Sequence, residues 1–411
     1  MTKIGLISDI HFGQMSRTKE FAVPGEPIQD ETSGAQSLEK GLIDILKKHK
    51  VDYLFIAGDL TSIGSPQEFY YCEEKILKIA QEVGISKENI ICALGNHDVD
   101  RTVAELWKNA EPNEVELGRE RPEELNELIK KLYQLMAANT ASSCMEHINH
   151  IVTMGIAPFS GVVEREEFIV FVLNSSWKCN GEQKYAHGIL TMEQLKWLKD
   201  IAEPFRTDPR KKIILMHHHP VDYSFPIHQE DISKVQEASE LIDWAGKYGI
   251  NIILHGHRHH PKIKTYKENG WDNPITIICA GSVSVCVKHR GEIPNTFHIL
   301  EFEKDAIPFY LYNYEYSGVR GWEPIRKSSA ETPLNHKMLL GKAFEEREIK
   351  KTIQQYNQER VEDGIEIKWE ELPECLQYMT YEELDDKFRK YLDDDIHIYG
   401  NFPQDVYLKR R

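Results

Sequence analysis

Five short apolar runs in this sequence end in side chains that bind metals or move protons. Ile4-Gly5-Leu6-Ile7-Ser8 ends in Asp9-Ile10-His11, and Tyr53-Leu54-Phe55-Ile56-Ala57 ends in Gly58-Asp59. Asn89-Ile90-Ile91-Cys92-Ala93-Leu94 ends in Gly95-Asn96-His97-Asp98. Ile213-Ile214-Leu215-Met216 ends in His217-His218-His219-Pro220, and Ile252-Ile253-Leu254 in His255-Gly256-His257-Arg258-His259. A run that buries itself and then presents carboxylate, amide and imidazole delivers polar groups to the end of a sheet. Asp, Asn and His without Cys suit a borderline divalent ion such as manganese, iron, zinc or cobalt, rather than structural zinc or an iron–sulfur cluster. The donors are too many for one ion. Two ions about 3.5–4 Å apart clamp the attacking and leaving oxygens of phosphoryl transfer. Of His217, His218 and His219, at most alternate residues can face one centre from an extended strand.

The elements that must position these groups follow from periodicity. In open α/β sheets, ligands sit outside the carboxyl ends of strands, so the five runs are expected as strands with their ends converging. Leu38, Leu42, Ile45 and Leu46 give a helical stripe between the first two runs, ending near His49, whose neighbours Lys48 and Lys50 mark a solvated helix end. Ser65-Pro66-Gln67-Glu68 reads as an N-cap, a proline at the first helical position and a capping-box glutamate, opening a helix to about residue 82. This β-α-β-α-β rhythm argues for strands joined by helical crossovers. Residues 100–150 break it and read as an inserted helical cap, with a stripe from Pro122 to Met136 and with His147 and His150 as structural residues at its end. Further strands are expected at 167–174, 276–280, 295–302 and 308–316. Thr191-Met192-Glu193-Gln194 is a second capping box, and a helix is expected over 234–248. Two packed sheets flanked by helices result. From about residue 330 an acidic tail keeps Trp369, Phe388, Tyr391 and Phe402, so it is expected to fold. Leu339, Leu340, Phe344, Ile349 and Ile353 give it a helical face, and Thr380-Tyr381-Glu382-Glu383 caps another helix.

Composition narrows the function. A net charge of −16 argues against general affinity for nucleic acid, which needs a basic face. No apolar run approaches the ~20 residues of a membrane span, so no membrane partner is expected. The first strand is expected to start at about the third residue, so no signal peptide is expected before it. The seven cysteines are odd in number, scattered and without a CxxC pair, and read as reduced, mostly buried thiols. The expected location is the cytoplasm.

In order and spacing, the blocks Asp9-Ile10-His11, Gly58-Asp59, Gly95-Asn96-His97-Asp98, residues 217–220 and Gly256-His257-Arg258-His259 resemble the calcineurin-like metallophosphoesterases. Each block is weak alone; five in order over residues 1–300 are specific. The resemblance implies a four-layer α-β-β-α sandwich of two mixed sheets, with a helical C-terminal appendage outside its reach. It implies that Asp9, His11 and His259 hold a first metal, that Asn96, His218 and His257 hold a second, and that Asp59 bridges both. The family histidine usually lies two residues before the proline, which points to His218 over His217. His255 is expected beside the ligands, not among them. His97 would contact the phosphate or protonate the leaving oxygen, with Asp98 orienting it. Two divalent ions are implied, manganese first, with iron, zinc, nickel or cobalt as the other candidates, and a hydroxide between them as the attacking group.

The stretch from Gly58 to Phe69 is similar to the bacterial phosphodiesterase branch that includes the cyclic-nucleotide enzymes, though that branch often has an acidic residue where Ser62 stands. The expected domains are residues 1–325, catalytic, and 330–411, mostly helical, governing access or partners; its apolar helix faces are expected to pack first on the catalytic domain, then on a second copy of the chain or on another protein. Three readings compete: a phosphodiesterase or phosphatase acting on a small phosphate ester, with a nucleotide among the candidates; a DNA or RNA nuclease of the same superfamily, which the acidic charge disfavours; and a non-catalytic scaffold, which the full set of ligand types argues against.

Overall fold

The computed structural model describes residues 1–29, 36–100, 160–176, 188–222, 234–325 and most of 334–410, with Val103 and Thr140 as isolated positions. The expected helical cap at 122–136, together with His147 and His150, lies outside the described residues. In the first sheet, β1 (Thr2–Ile7), β2 (Tyr53–Ala57) and β3 (Ile90–Ala93) run parallel. The second sheet has β4 (Gly161–Glu164), β5 (Phe168–Val172), β6 (Lys211–Leu215), β7 (Ile252–His255), β8 (Pro261–Tyr266) and β9 (Ile275–Ala280). Its order is β4-β5-β6-β7-β9-β8, parallel from β5 through β9, with β4 and β8 as antiparallel edges. The chain then returns to the first sheet. There β10 (Thr296–Phe302) pairs antiparallel with β1, and β11 (Phe309–Ser317), β12 (Gly321–Pro324) and β13 (Lys337–Leu340) extend that side.

The strands are apolar on both faces because each sheet is covered twice. Ile4, Leu6, Phe55, Ala57, Ile91 and Ala93 meet Ile213, Leu215, Ile252 and Leu254 in a core between the sheets. The other faces carry α1 (Leu38–His49) and α2 (Pro66–Val83) on the first sheet, and α3 (Met192–Ala202) and α4 (Ala238–Lys247) on the second. A short helix, α5 (Val287–Arg290), precedes β10. The expected four-layer sandwich of two mixed sheets flanked by helices is what forms. Both capping boxes are present, Ser65 with Glu68 and Thr191 with Gln194.

The C-terminal region contains α6 (Glu346–Arg360), α7 (Glu374–Gln377) and α8 (Tyr381–Tyr391) around a core of its own that includes Ile353, Leu384 and Phe388. It also contains a three-stranded antiparallel sheet of β14 (Ile365–Glu366), β15 (Ile396–Asn401) and β16 (Gln404–Arg410), which sequence reading did not anticipate. One expectation is corrected: Leu339 and Leu340 belong to no helical face but to β13, whose Met338 and Leu340 enter the inter-sheet core. Four residues are too few to separate a period of two from one of 3.6.

Gly246 shows how tightly the outer layer is packed. A Cβ there would lie 2.0 Å from the indole of Trp271, which is buried. Alanine would gain about 1 kcal/mol of helix propensity but force that ring aside, and overpacking costs about 1–3 kcal/mol. Gly246→Ala should therefore lower the midpoint of denaturant unfolding; an unchanged or raised midpoint would show that the ring yields freely.

Candidate metal centre

The hydrogen-bond ladder between β1 and β2 continues past both strand ends. Asp9 N–H donates to the Gly58 carbonyl at 3.0 Å, His11 N–H to Asp59 at 2.9 Å and Phe12 N–H to Leu60 at 2.8 Å. On the second sheet, Met216 N–H donates to Leu254 and Gly256 N–H to His217, both at 3.0 Å. Within these extensions the backbone turns left-handed at Asp9 (φ 52°), His11 (47°), Asp59 (51°), His257 (74°) and His259 (53°). Non-glycine residues adopt this conformation rarely, with Asn, Asp and His the most tolerant, and such strain gathers at functional sites. All five are residues expected to hold metal.

Two glycines let the sheets close at this end. A Cβ on Gly95 would lie 2.1 Å from Asp59 Oδ1, and one on Gly256 would lie 1.9 Å from Ser8 Oγ and 2.3 Å from Asp9 Oδ2. No larger residue fits without moving a carboxylate.

The result is three overlapping groups, each with donor atoms within 4.8 Å of one another: Asp9, His11 and His259; His11, Asp59 and His97; and Asp59, His217 and His257. The first and third each draw on both sheets. Asp59 Oδ2 lies 3.4 Å from His11 Nε2 and 3.2 Å from His217 Nε2, so its carboxylate faces both groups. Asn96 Oδ1 lies 2.9 Å from His257 Nδ1 and 3.2 Å from His217 Nε2. Asp9, which accepts from the His257 N–H, lies 3.4 Å from His259 Nδ1. Of the donors expected for two metals, Asp9, His11, Asp59, Asn96, His257 and His259 come together. His218 is in none of the three groups, although its ring lies 4.5 Å, centroid to centroid, from that of His257.

His217, the neighbour of the expected His218, turns a ring nitrogen toward Asp59 and Asn96. His217 Nδ1–H donates to the Ala57 carbonyl at 2.8 Å, which leaves Nε2 to face Asp59 and Asn96. A carbonyl fixing the tautomer of a metal-binding imidazole is the usual arrangement. His218 instead packs its Nδ1 2.8 Å from Ser175 Oγ. The reason is strand parity. Ile213 and Leu215 face the inter-sheet core and Ile214 and Met216 the helical layer, so 217 inherits the inner face. Because β6 is apolar on both faces, hydropathy alone did not show which parity points inward. His255, buried with its Nδ1 3.1 Å from the Gly256 carbonyl, belongs to none of these groups.

The Asp98 carboxylate is engaged by backbone N–H groups and a hydroxyl. It accepts from the N–H groups of Leu60, Thr61 and Gly95 at 3.1, 2.9 and 2.8 Å and from the Thr61 hydroxyl at 3.0 Å. It ties the β2 end to the β3 end instead of orienting the His97 ring. That ring is set by the Ser62 carbonyl, which accepts from Nδ1–H at 2.8 Å. Ser62 was noted in the sequence only as a departure from the phosphodiesterase branch.

Electrostatically the donors are poised for cations. Burial pushes Asp9 up to about 6, His259 down to about 4 and His257 well below its ordinary value, so imidazole lone pairs are kept unprotonated. Burial also opposes charge on His217, but the Asp59 carboxylate outweighs it and holds this imidazole at about 9. His259 Nδ1 is buried with no hydrogen-bond partner. Oxygen and imidazole donors, an orphaned ring nitrogen and two carboxylates compressed among histidines fit borderline divalent metals.

The model of the calcineurin-like phosphoesterase family matches residues 2–261, more than half of the chain. The chain belongs to the calcineurin-like phosphoesterase family. No curated protein matches it significantly. Among solved structures it is similar to the purple acid phosphatase PPD1 from yellow lupin (Lupinus luteus) seeds, with TM-score 0.46, 13% identity, and 78% of this chain and 53% of that one covered. It is also similar to a dimetal phosphatase from Danio rerio (0.44, 10%, 76% and 95%) and to YfcE, a phosphoesterase from E. coli (0.28, 12%, 76% and 92%). The chain spans about half the length of the lupin enzyme. As a calcineurin-like phosphoesterase it has candidate metal-binding residues consistent with a binuclear divalent site, and the family implies a phosphate-ester substrate. Among the described residues, no helix is long and apolar enough to cross a membrane.

The exchange of His217 for His218 is measurable. Metal analysis after gel filtration should find His217→Ala about one divalent ion short of the parent protein, and His218→Ala with the full complement. The opposite pattern would return the ligand role to His218.

Proposed function

We propose that the protein is a metal-dependent phosphodiesterase with two divalent ions, manganese the first candidate. The observation that carries this reading is the position of Asp59, whose carboxylate faces the Asp9–His11–His259 group on one side and the His217–His257 group on the other. In this reading Asp9, His11 and His259 would hold one ion, Asn96, His217 and His257 the other, and Asp59 would serve both. When bound, the ions would supply a Lewis-acidic clamp for the attacking and leaving oxygens of an in-line displacement.

The chain's own residues do the rest. Asp9 and Asp59, buried at 0% and 1% exposure, are compressed among imidazoles and would attract the cations on which a phosphate could rest. The Ala57 carbonyl accepts from His217 Nδ1–H and so turns Nε2 toward the site. His97 Nδ1 is committed to the Ser62 carbonyl, so Nε2 is the nitrogen that can give a proton to the departing oxygen. A diester leaving as an alkoxide needs that proton more than an activated aryl ester does. The resemblance of residues 58–69 to the phosphodiesterase branch supports diesters over monoesters.

Purified protein should contain up to two divalent ions per chain and hydrolyse bis(p-nitrophenyl) phosphate faster than p-nitrophenyl phosphate. Manganese should stimulate the activity and a chelator abolish it. Protein that takes up no divalent metal and shows no manganese-stimulated esterase activity would sink the reading. His97→Ala should keep both ions and slow hydrolysis of diesters with poor leaving groups by about 10²–10⁴-fold, with a smaller loss for p-nitrophenyl esters. Equal losses across leaving groups would leave His97 as a residue that only positions the phosphate.

A further inference from the structure

We propose that Glu68 is a positioning residue for His97, acting through the peptide unit that joins Ser62 to Ile63. The proposal rests on the reading of His97 as the proton donor to the leaving oxygen. The Ser62 carbonyl and the Ile63 N–H belong to one planar peptide. The carbonyl end accepts from His97 Nδ1–H at 2.8 Å, and the N–H end donates to Glu68 Oε2 at 2.9 Å. One rigid plane is therefore gripped at both ends, and the side chain that grips it opposite His97 is Glu68. A hydrogen bond received at one end of an amide polarises the other, so the carboxylate also strengthens the carbonyl as an acceptor for the imidazole.

The bland alternative is that Glu68 is only the capping-box residue of α2. The distances argue otherwise. Its bond to the N-cap Ser65 N–H is 3.4 Å, longer than the 2.9 Å bond to Ile63 outside the helix. The residue is 3% exposed, and its Oε1 lies where a Cβ on Gly13 would come within 2.3 Å, so it is wedged against the loop that follows His11. Ser62 is pinned from the same side, its N–H donating to Phe12 at 3.0 Å and its hydroxyl to the His11 carbonyl at 2.8 Å. The peptide can therefore be displaced only if one of these anchors is removed, and Glu68 is the anchor that a substitution can take away from its N–H end.

The test compares manganese-loaded full-length protein with Glu68→Ala, His97→Ala and the double variant on diesters of graded leaving groups. Glu68→Ala should lose about 10- to 100-fold on poor leaving groups, much less on p-nitrophenyl esters, and should keep both ions. In the His97→Ala background it should leave the leaving-group dependence unchanged, as two residues on one path require. Glu68→Gln, whose amide oxygen can still accept from Ile63, should recover most of the loss. Glu68→Asp, too short to reach, should not, and this pair carries the test if Glu68→Ala fails to fold. Equal losses across leaving groups in Glu68→Ala, or a further change of slope in the double variant, would overturn the proposal while leaving His97 as the proton donor. A His97→Ala enzyme with no leaving-group dependence would overturn that reading of His97 first, and the proposal with it.

Discussion

The Asp59 carboxylate meets imidazoles from two separate sheets, and the rest of the structure is arranged so that it cannot avoid them. The neighbouring strand of its own sheet, β1, leads to His11, and the facing sheet supplies His217. A buried carboxylate is tolerated only where positive charge or hydrogen bonding compensates it. The His97 N–H gives one such bond at 2.8 Å. The remaining oxygen is left among ring nitrogens, an arrangement that makes sense around cations and is poor packing otherwise.

That meeting depends on two sheets pressed together at their carboxyl ends. The inter-sheet core sets the spacing, through Phe55 and Ala57 on one side and Leu215 and Leu254 on the other. The motif glycines remove the side chains that would hold the ends apart. Asp98 then fastens the β2 and β3 ends together through three backbone N–H groups, work that belongs to stability more than to chemistry. Each sequence block thus contains residues of two kinds: donors, and residues that allow donors to approach.

Much of this was legible in the sequence. The strand-ending blocks stood out because polar donors after buried runs have little reason to exist in a core, and capping boxes marked α2 and α3. What escaped did so for physical reasons. That His217 and not His218 faces Asp59 needed the parity of β6, hidden because Ile213, Ile214, Leu215 and Met216 are all apolar. The edge strand β8 was missed because Pro261 and the alternating Lys262 and Lys264 look like loop, although proline and lysine are ordinary at sheet edges. In the C-terminal region the signal was present but passed over: Ile396 and Ile398, then Val406 and Leu408, alternate with polar or aromatic residues and bury the apolar set. The role of Ser62 could not be read at all, since it acts through a backbone carbonyl that any residue carries.

The left-handed backbone at Asp9, His11, Asp59, His257 and His259 also acts as a filter on descent. At those positions oxygen and imidazole donors can replace one another, because Asp, Asn and His share a tolerance for that conformation. A β-branched hydroxyl residue there would meet the steric penalty before it ever met the metal. Asn96 and His217 sit on ordinary backbone and are free of that restriction. A lineage drifting toward a different ion would therefore be expected to change those two first, and to keep the five kinked positions as the fixed part of its inheritance.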